Sequence, residues 1–353
     1  MKIAQVVPVW FPVPPQKFGG LELVVANLIE GLQSSGHEVT LFGFPGNESV
    51  KSVVPGVEMP PLKIDWLKYK NIELENFVKA VIESDKFDLI HFHISSDLFP
   101  LMLARFASCP VVVTVHNFVP ESLDNFIYKK YSTNLVLANK YSRSFFPDTI
   151  DITTVYHGIR LSDYGFSSEK EDYFVYLSRI EPMKGAAEAI AVAKELRKKL
   201  YILGPISPLH HEYFAKEIEP QIDNQTIFFQ GEADLRLKKK YLSKARALIF
   251  PTKLPETFGL VAAEAMACGT PVIAYDSGAV SEVVLNGKTG FIAKTDDLGQ
   301  LIKAAIKLES MSGDEYREMV RNCRSRVEQQ FSLGRMTSDY LKVYERLAGI
   351  KYL

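Results

Sequence analysis

The chain has 353 residues, with 41 Lys and Arg against 42 Asp and Glu, a formal charge of −1, and 47% hydrophobic residues. That length and apolar content suffice for two cores of ordinary size, and the balanced charge advertises no polyanion-binding surface, so no nucleic acid partner is expected. Cys109, Cys268 and Cys323 lack metal-ligand spacing and read as reduced thiols, which favours a cytoplasmic location. At the N-terminus a single lysine precedes an apolar run broken by prolines, which reads as a strand over 2–7 and not as a signal peptide. No apolar run reaches the roughly eighteen residues of a membrane span. Further strands are expected over 38–42, 89–92, 111–115 and 135–138, alternating with helices over 21–35, 72–84 and 100–107. This is the pattern of a parallel, doubly wound α/β sheet. A polar stretch over 158–172 interrupts it. The pattern restarts with a strand over 173–178, a helix over 186–198, and strands over 200–203, 227–229, 247–250, 272–275 and 290–292. The expected organisation is a Rossmann-like domain over 1–160, a linker over 161–172, a second Rossmann-like domain over 173–335, and a C-terminal helix over 336–353 crossing back to the first. The two domains are expected to face each other across a cleft, with ligands at strand carboxyl ends.

The most informative segment is 251–274. It places Glu256 and Glu264 at the two ends of a turn, Thr257-Phe258-Gly259-Leu260-Val261, that leads from a strand into a helix over 260–268. Gly259 permits close approach to the main chain, and the helix N-terminus favours a negatively charged group. An ordinary helix with a glycine cap at Gly269 and a stop at Pro271 explains those two residues. It leaves Glu264 unexplained, because a charge amid Val261, Ala262, Ala263, Ala265 and Met266 is costly without a partner.

This segment resembles the signature of the family-4 retaining glycosyltransferases of GT-B fold, in which two glutamates are separated by seven residues in a Glu-x-Phe-Gly-Leu-Val-x-x-Glu-Ala-Met-Ala-x-Gly-x-Pro-Val pattern. The resemblance implies that Glu256 contacts the transferred sugar and that amides of the turn Thr257 to Val261 hold sugar hydroxyls and phosphate. It further implies that Glu264 accepts hydrogen bonds from a ribose. Arg179 and Lys184, five residues apart before a helix, can clamp a diphosphate. They resemble the family's Gly-Arg-Leu-x-x-x-Lys-Gly element, with Ser178 and Ile180 as departures. Gly19 and Gly20 occupy the place of the family's glycine-rich first-domain loop. His116 resembles the His of a Thr-x-His-Asp element that contacts the donor sugar, with Asn117 in place of Asp. Gly204 and Gly231, after strands of the second half, are expected beside the base.

His91 and His93 close a strand and are expected to point to opposite faces. No third ligand follows at zinc spacing, so no metal site is expected. His37 reads as part of a helix-to-strand turn, and His210 and His211 as surface residues. Acceptor contacts are expected from first-domain loops, including Trp10, Phe11, His93 and Phe118; the segment 62–70 reads first as an exposed amphipathic stretch, with peripheral association with the inner face of a membrane as the alternative.

The expected activity is retaining transfer of a hexose from a nucleoside diphosphate sugar, UDP-sugar preferred on family frequency, to a sugar, lipid-linked or small-molecule hydroxyl. Arg179, Lys184 and helix amides would stabilise the departing diphosphate, Glu256 would orient the sugar, and no cofactor or metal is called for. Three alternatives compete. A glycoside hydrolase or phosphorylase needs a protonated carboxylic acid, against which the helix N-terminus beside Glu256 works. A non-catalytic nucleotide-sugar-binding paralogue would usually lose Glu256, Arg179 or Lys184. An NAD-dependent dehydrogenase would carry Gly-x-Gly-x-x-Gly after its first strand, which is lacking.

Overall fold

The computed structural model describes residues 1–17, 19–44, 46, 53–55, 66–95, 97–117, 125–131 and 133–349. The chain divides into two units, Met1–Gly158 with Leu333–Leu353, and Ile159–Ser332.

The first unit is built on a seven-stranded parallel sheet of order β3-β2-β1-β4-β5-β6-β7. Its strands are β1 Lys2–Val6, β2 Glu38–Gly43, β3 Val53–Pro55, β4 Leu89–Ile94, β5 Val111–Val115, β6 Leu135–Leu137 and β7 Ile152–Thr154. The central strands are near-continuous apolar runs, as a sheet covered on both faces requires. The helix Gly20–Ser34 buries Val24, Val25, Leu28, Ile29 and Leu32, a stripe at helical spacing. The C-terminal helix Leu333–Ala348 lies against it. A Cβ at Gly31 would sit 2.0 Å from Thr337 Oγ1, so the Thr337 side chain occupies the space a side chain at Gly31 would need. Because β1 neighbours both β2 and β4, the chain reverses direction across the sheet between β1 and β4, and the loops after these strands flank the crevice where ligands bind in such sheets.

The second unit carries a six-stranded parallel sheet of order β10-β9-β8-β11-β12-β13. The strands are β8 Tyr173–Leu177, β9 Lys199–Leu203, β10 Ile227–Gly231, β11 Ala247–Phe250, β12 Val272–Tyr275 and β13 Gly290–Ala293. Here the reversal falls between β8 and β11. Residues 161–172, expected as a linker, pack into this unit. Lys170 Nζ donates to the Ser243 carbonyl, the Cys268 carbonyl and Thr270 Oγ1, each at 2.9 Å, and so caps the ends of two helices. Burial of its ammonium pulls it down to about 8. A half-buried lysine satisfied by carbonyls reads, in sequence, like a solvated one.

Candidate active site

The loops after β8 and β11 meet at the switch point of the second sheet. Ser178 N donates to the Leu203 carbonyl and Ile180 N to the Pro205 carbonyl, so the loop after β8 is zipped to the loop after β9. Gly204 makes this possible. With φ +144 and a would-be Cβ only 1.8 Å from the Ser178 carbonyl oxygen, the position admits glycine alone. Gly231, at the end of β10, also has positive φ but faces open space. Arg179 is 43% exposed at its side chain and lies 3.5 Å from Glu181. A short turn, Pro182–Lys184, then leads to Gly185, whose absent Cβ lets the Pro251 carbonyl come close.

Lys184 Nζ donates to Glu256 Oε1, and both side chains are largely withdrawn from solvent. Two residues that the sequence assigns separately, to the diphosphate and to the sugar, are therefore in contact. The loop carrying Glu256 is fixed on both sides. Glu256 N donates to Ser277 O, and Ala279 N to Glu256 O. Lys253 N donates to Met183 O, while its ammonium pairs with Glu188 at 2.6 Å and Asp296 at 2.7 Å. These neighbours raise the Lys253 ammonium above its ordinary value, first through the hydrogen bond it donates to Asp296 and next through the one it donates to Glu188. Gly259, φ +85, caps the helix Leu260–Ala267, and Thr257, Leu260 and Val261 stay partly exposed at its start, where first-turn amides have no acceptor within the helix. Phe258 instead turns inward, edge-on to Phe331 at 5.3 Å. Its ring is therefore withdrawn from the surface of the turn.

Glu264 is 1% exposed. Its Oε1 accepts from Tyr164 OH at 2.8 Å and from Lys238 Nζ at 2.6 Å, while its buried Oε2 has no hydrogen-bond partner. Burial, reinforced by the Glu264 charge, pushes the Tyr164 phenol up. Neither Tyr164 nor Lys238 stands out in the sequence. One lies in the presumed linker and the other in a lysine run that reads as a solvated helix face.

In the first unit Gly19, φ +146, caps the helix Gly20–Ser34, and a Cβ there would meet Pro15 at 2.8 Å and Glu22 Oε2 at 3.0 Å. Glu22 is buried, which raises its carboxyl to about 7. The Trp10 and Tyr69 rings lie 3.7 Å apart. Phe11 is half-buried, and Phe118 and residues 62–65 lie outside the described residues. Within the remainder of the amphipathic segment, Lys70 is engaged by Glu73 and Asp97. No helix among the described residues is long and apolar enough to cross a membrane.

The histidines form a buried network. His93 Nδ1 lies 2.9 Å from His116 Nε2, and His93 Nε2 lies 2.6 Å from Gln5 Oε1. With both ring nitrogens engaged and no exposed surface, His93 has none left for an acceptor, contrary to expectation. His91 contacts Tyr344 OH and Thr114 Oγ1. The expectation of opposite faces for His91 and His93 is also corrected. Residues two apart on a strand share a face, and their ring centroids are 3.9 Å apart. His116 is buried and stacks on His157 at 5.1 Å, and burial, helped by these neighbours, holds it neutral well below the ordinary histidine range. Among the described residues no three metal-binding side chains converge.

Two family models match the chain, "Glycosyltransferase Family 4" over residues 18–170 and "Glycosyl transferases group 1" over 163–326. A phosphatidyl-myo-inositol mannosyltransferase of Mycolicibacterium smegmatis is 25% identical over 383 residues, covering 99% of this chain and 95% of the relative. Among solved structures, a sucrose-phosphate synthase of Thermosynechococcus elongatus superposes with a TM-score of 0.83 at 19% identity, covering 99% and 100% of the two chains. HepE of Anabaena, crystallised with UDP-glucose, gives 0.75 at 18% identity, covering 99% and 100%.

Proposed function

Because the chain belongs to the family-4 glycosyltransferases of GT-B fold, we propose that this enzyme transfers a hexose from a nucleoside diphosphate sugar, UDP-sugar first, to a sugar, lipid-linked or small-molecule hydroxyl with retention of configuration. The observation that carries the reading is the Lys184–Glu256 contact at the switch point of the second unit. A cation for the leaving diphosphate and a carboxylate for sugar hydroxyls stand side by side, as a sugar diphosphate presents its own groups. HepE, a structural neighbour, was crystallised with UDP-glucose, which supports the UDP preference.

As the bond to the leaving oxygen breaks, charge grows on the diphosphate. Arg179, Lys184 and the amides opening the helix Leu260–Ala267 are the groups we assign to stabilise it. Glu256 orients the sugar. It accepts a hydrogen bond from Lys184, the reverse of the proton donation that a glycosidase acid performs, so the hydrolase alternative is disfavoured. Glu264 Oε2, buried and without a donor, is assigned to the ribose. We assign the first unit to the acceptor, with Gly19, Gly20 and His116 toward the donor sugar and Trp10 and Phe11 toward the acceptor. The loops 178–185, 204–207 and 251–259 contain no aspartate, and two cations match the charge of one Mg²⁺, so we assign no metal or cofactor. The unbridged thiols of Cys109, Cys268 and Cys323 favour a cytoplasmic location.

Thermal stabilisation by UDP-, GDP- and ADP-sugars tests this. A ligand at 100 times its Kd adds about 2.7 kcal/mol to stability. We expect one base series to raise the melting temperature, and absence of any shift at millimolar concentration with all three would overturn the reading.

A further inference from the structure

We propose that Lys238 and Tyr164 are positioning residues that make the nucleotide site select ribose over 2′-deoxyribose. The inference rests on the nucleotide-sugar reading above. An ionised carboxylate has about four lone-pair sites. In Glu264 the donors are unevenly distributed, since Tyr164 OH and Lys238 Nζ both reach Oε1 while the equally buried Oε2 receives none. Turning the carboxylate to exchange its oxygens breaks both bonds, so the pair locks its orientation and keeps Oε2 as a fixed acceptor with unused capacity. Groups of the nucleotide that donate to it gain a charge-assisted bond and relieve a buried unsatisfied atom. A ribose offers two vicinal hydroxyl donors, and a 2′-deoxyribose one.

The two donors are themselves held. Arg324 Nη1 donates to the Tyr164 carbonyl at 2.9 Å and to the Ala267 carbonyl at 2.8 Å, tying the tyrosine to the end of the helix that carries Glu264. Lys238 stands in the first turn of the helix Leu235–Lys244, whose cap Asp234 accepts from Leu237 N at 2.7 Å. Two separate segments therefore converge on one oxygen of one carboxylate and leave the other open. A lone ion pair that served stability needs no such asymmetry.

Calorimetric titration of the full chain with UDP, GDP and ADP, each against its 2′-deoxy counterpart, tests the proposal. For the nucleotide that binds, the wild type should prefer the ribo form by roughly tenfold or more, the scale of one hydrogen bond to a charged group. Lys238→Met and Tyr164→Phe should each reduce that ratio at least about threefold, and Lys238→Arg should preserve it. A purely structural role would lower ribo and deoxy affinities alike. A wild-type ratio near one, or an unchanged ratio in folded Lys238→Met and Tyr164→Phe, overturns the inference and leaves the nucleotide-sugar reading standing. Failure of the wild type to bind any nucleoside diphosphate overturns both. If circular dichroism shows Lys238→Met unfolded, Tyr164→Phe, which removes a single hydroxyl, decides.

Discussion

At the scale of single residues the two glutamates have different surroundings and should fail differently. Glu256 meets Lys184 in a loop pinned at Ser277 and Ala279, whereas Glu264 is buried in a helix and held by Tyr164 and Lys238. Glu256→Gln should abolish transfer and leave nucleotide affinity largely intact, while Glu264→Gln should weaken donor binding. Equal loss of UDP binding in the two variants would remove this division of roles. Arg179→Ala and Lys184→Ala should each lower turnover by roughly 10²-fold or more, the scale for removing a preorganised charge from a developing anion. Steady-state kinetics checks this, and wild-type rates would exclude both residues from the diphosphate clamp. Glu256 and Glu264, with seven residues between them, and Arg179 and Lys184, with four, stand out in sequence because they resemble the family's motifs. Lys238 and Tyr164 do not, because their contacts with Glu264 span 26 and 100 positions and depend on how helix and loop pack.

At the scale of elements, the loops around the site depend on glycines for two separable reasons. Gly204→Ala meets both positive φ and the Ser178 carbonyl at 1.8 Å, and should cost about 3 kcal/mol or more. Gly231→Ala meets only the positive φ, with no atom within 4 Å, and should cost about 1 to 2 kcal/mol. Urea denaturation of both variants ranks them, and equal losses would contradict the close approach.

The buried histidines give the first unit an acid limit. Burial holds His91, His93 and His116 well below 6.5 and His157 down to about 3, so below 6.5 the unfolded chain binds more protons and stability falls as pH falls. Glu22 and Glu73 act in the opposite sense. Burial raises them to about 7, so the folded chain takes up their protons well above the 4.5 of the unfolded chain. Between 6.5 and 4.5, four histidines against two carboxyls leave roughly two protons net, or about 3 kcal/mol per pH unit. Urea midpoints should therefore drop between pH 6.5 and 5, and a flat profile would contradict a neutral buried network. The long strands are legible as apolar runs. The three-residue edges β3 and β7 are not, since so short a segment carries no periodicity, and the packed segment 161–172 hides behind its polar residues.

At the scale of the molecule, two matching family models and two doubly wound sheets agree with the architecture the alternating strand and helix pattern implies. The acceptor and donor base are less legible, because sheet patterning fixes where loops begin and not what they recognise. If Arg179 and Lys184 clamp the diphosphate as proposed, activity should survive excess EDTA. Loss on chelation with recovery on Mg²⁺ or Mn²⁺ would displace Arg179 and Lys184 from the role of clamp. The most direct test of the account is nucleoside diphosphate release from UDP-, GDP- and ADP-sugars by the wild type and by Glu256→Gln, with nucleotide affinity measured on the same samples. The wild type should release nucleoside diphosphate from one base series, and Glu256→Gln should lose that release while the nucleotide still binds. Release by Glu256→Gln at the wild-type rate, or no release from any donor by the wild type, would contradict it.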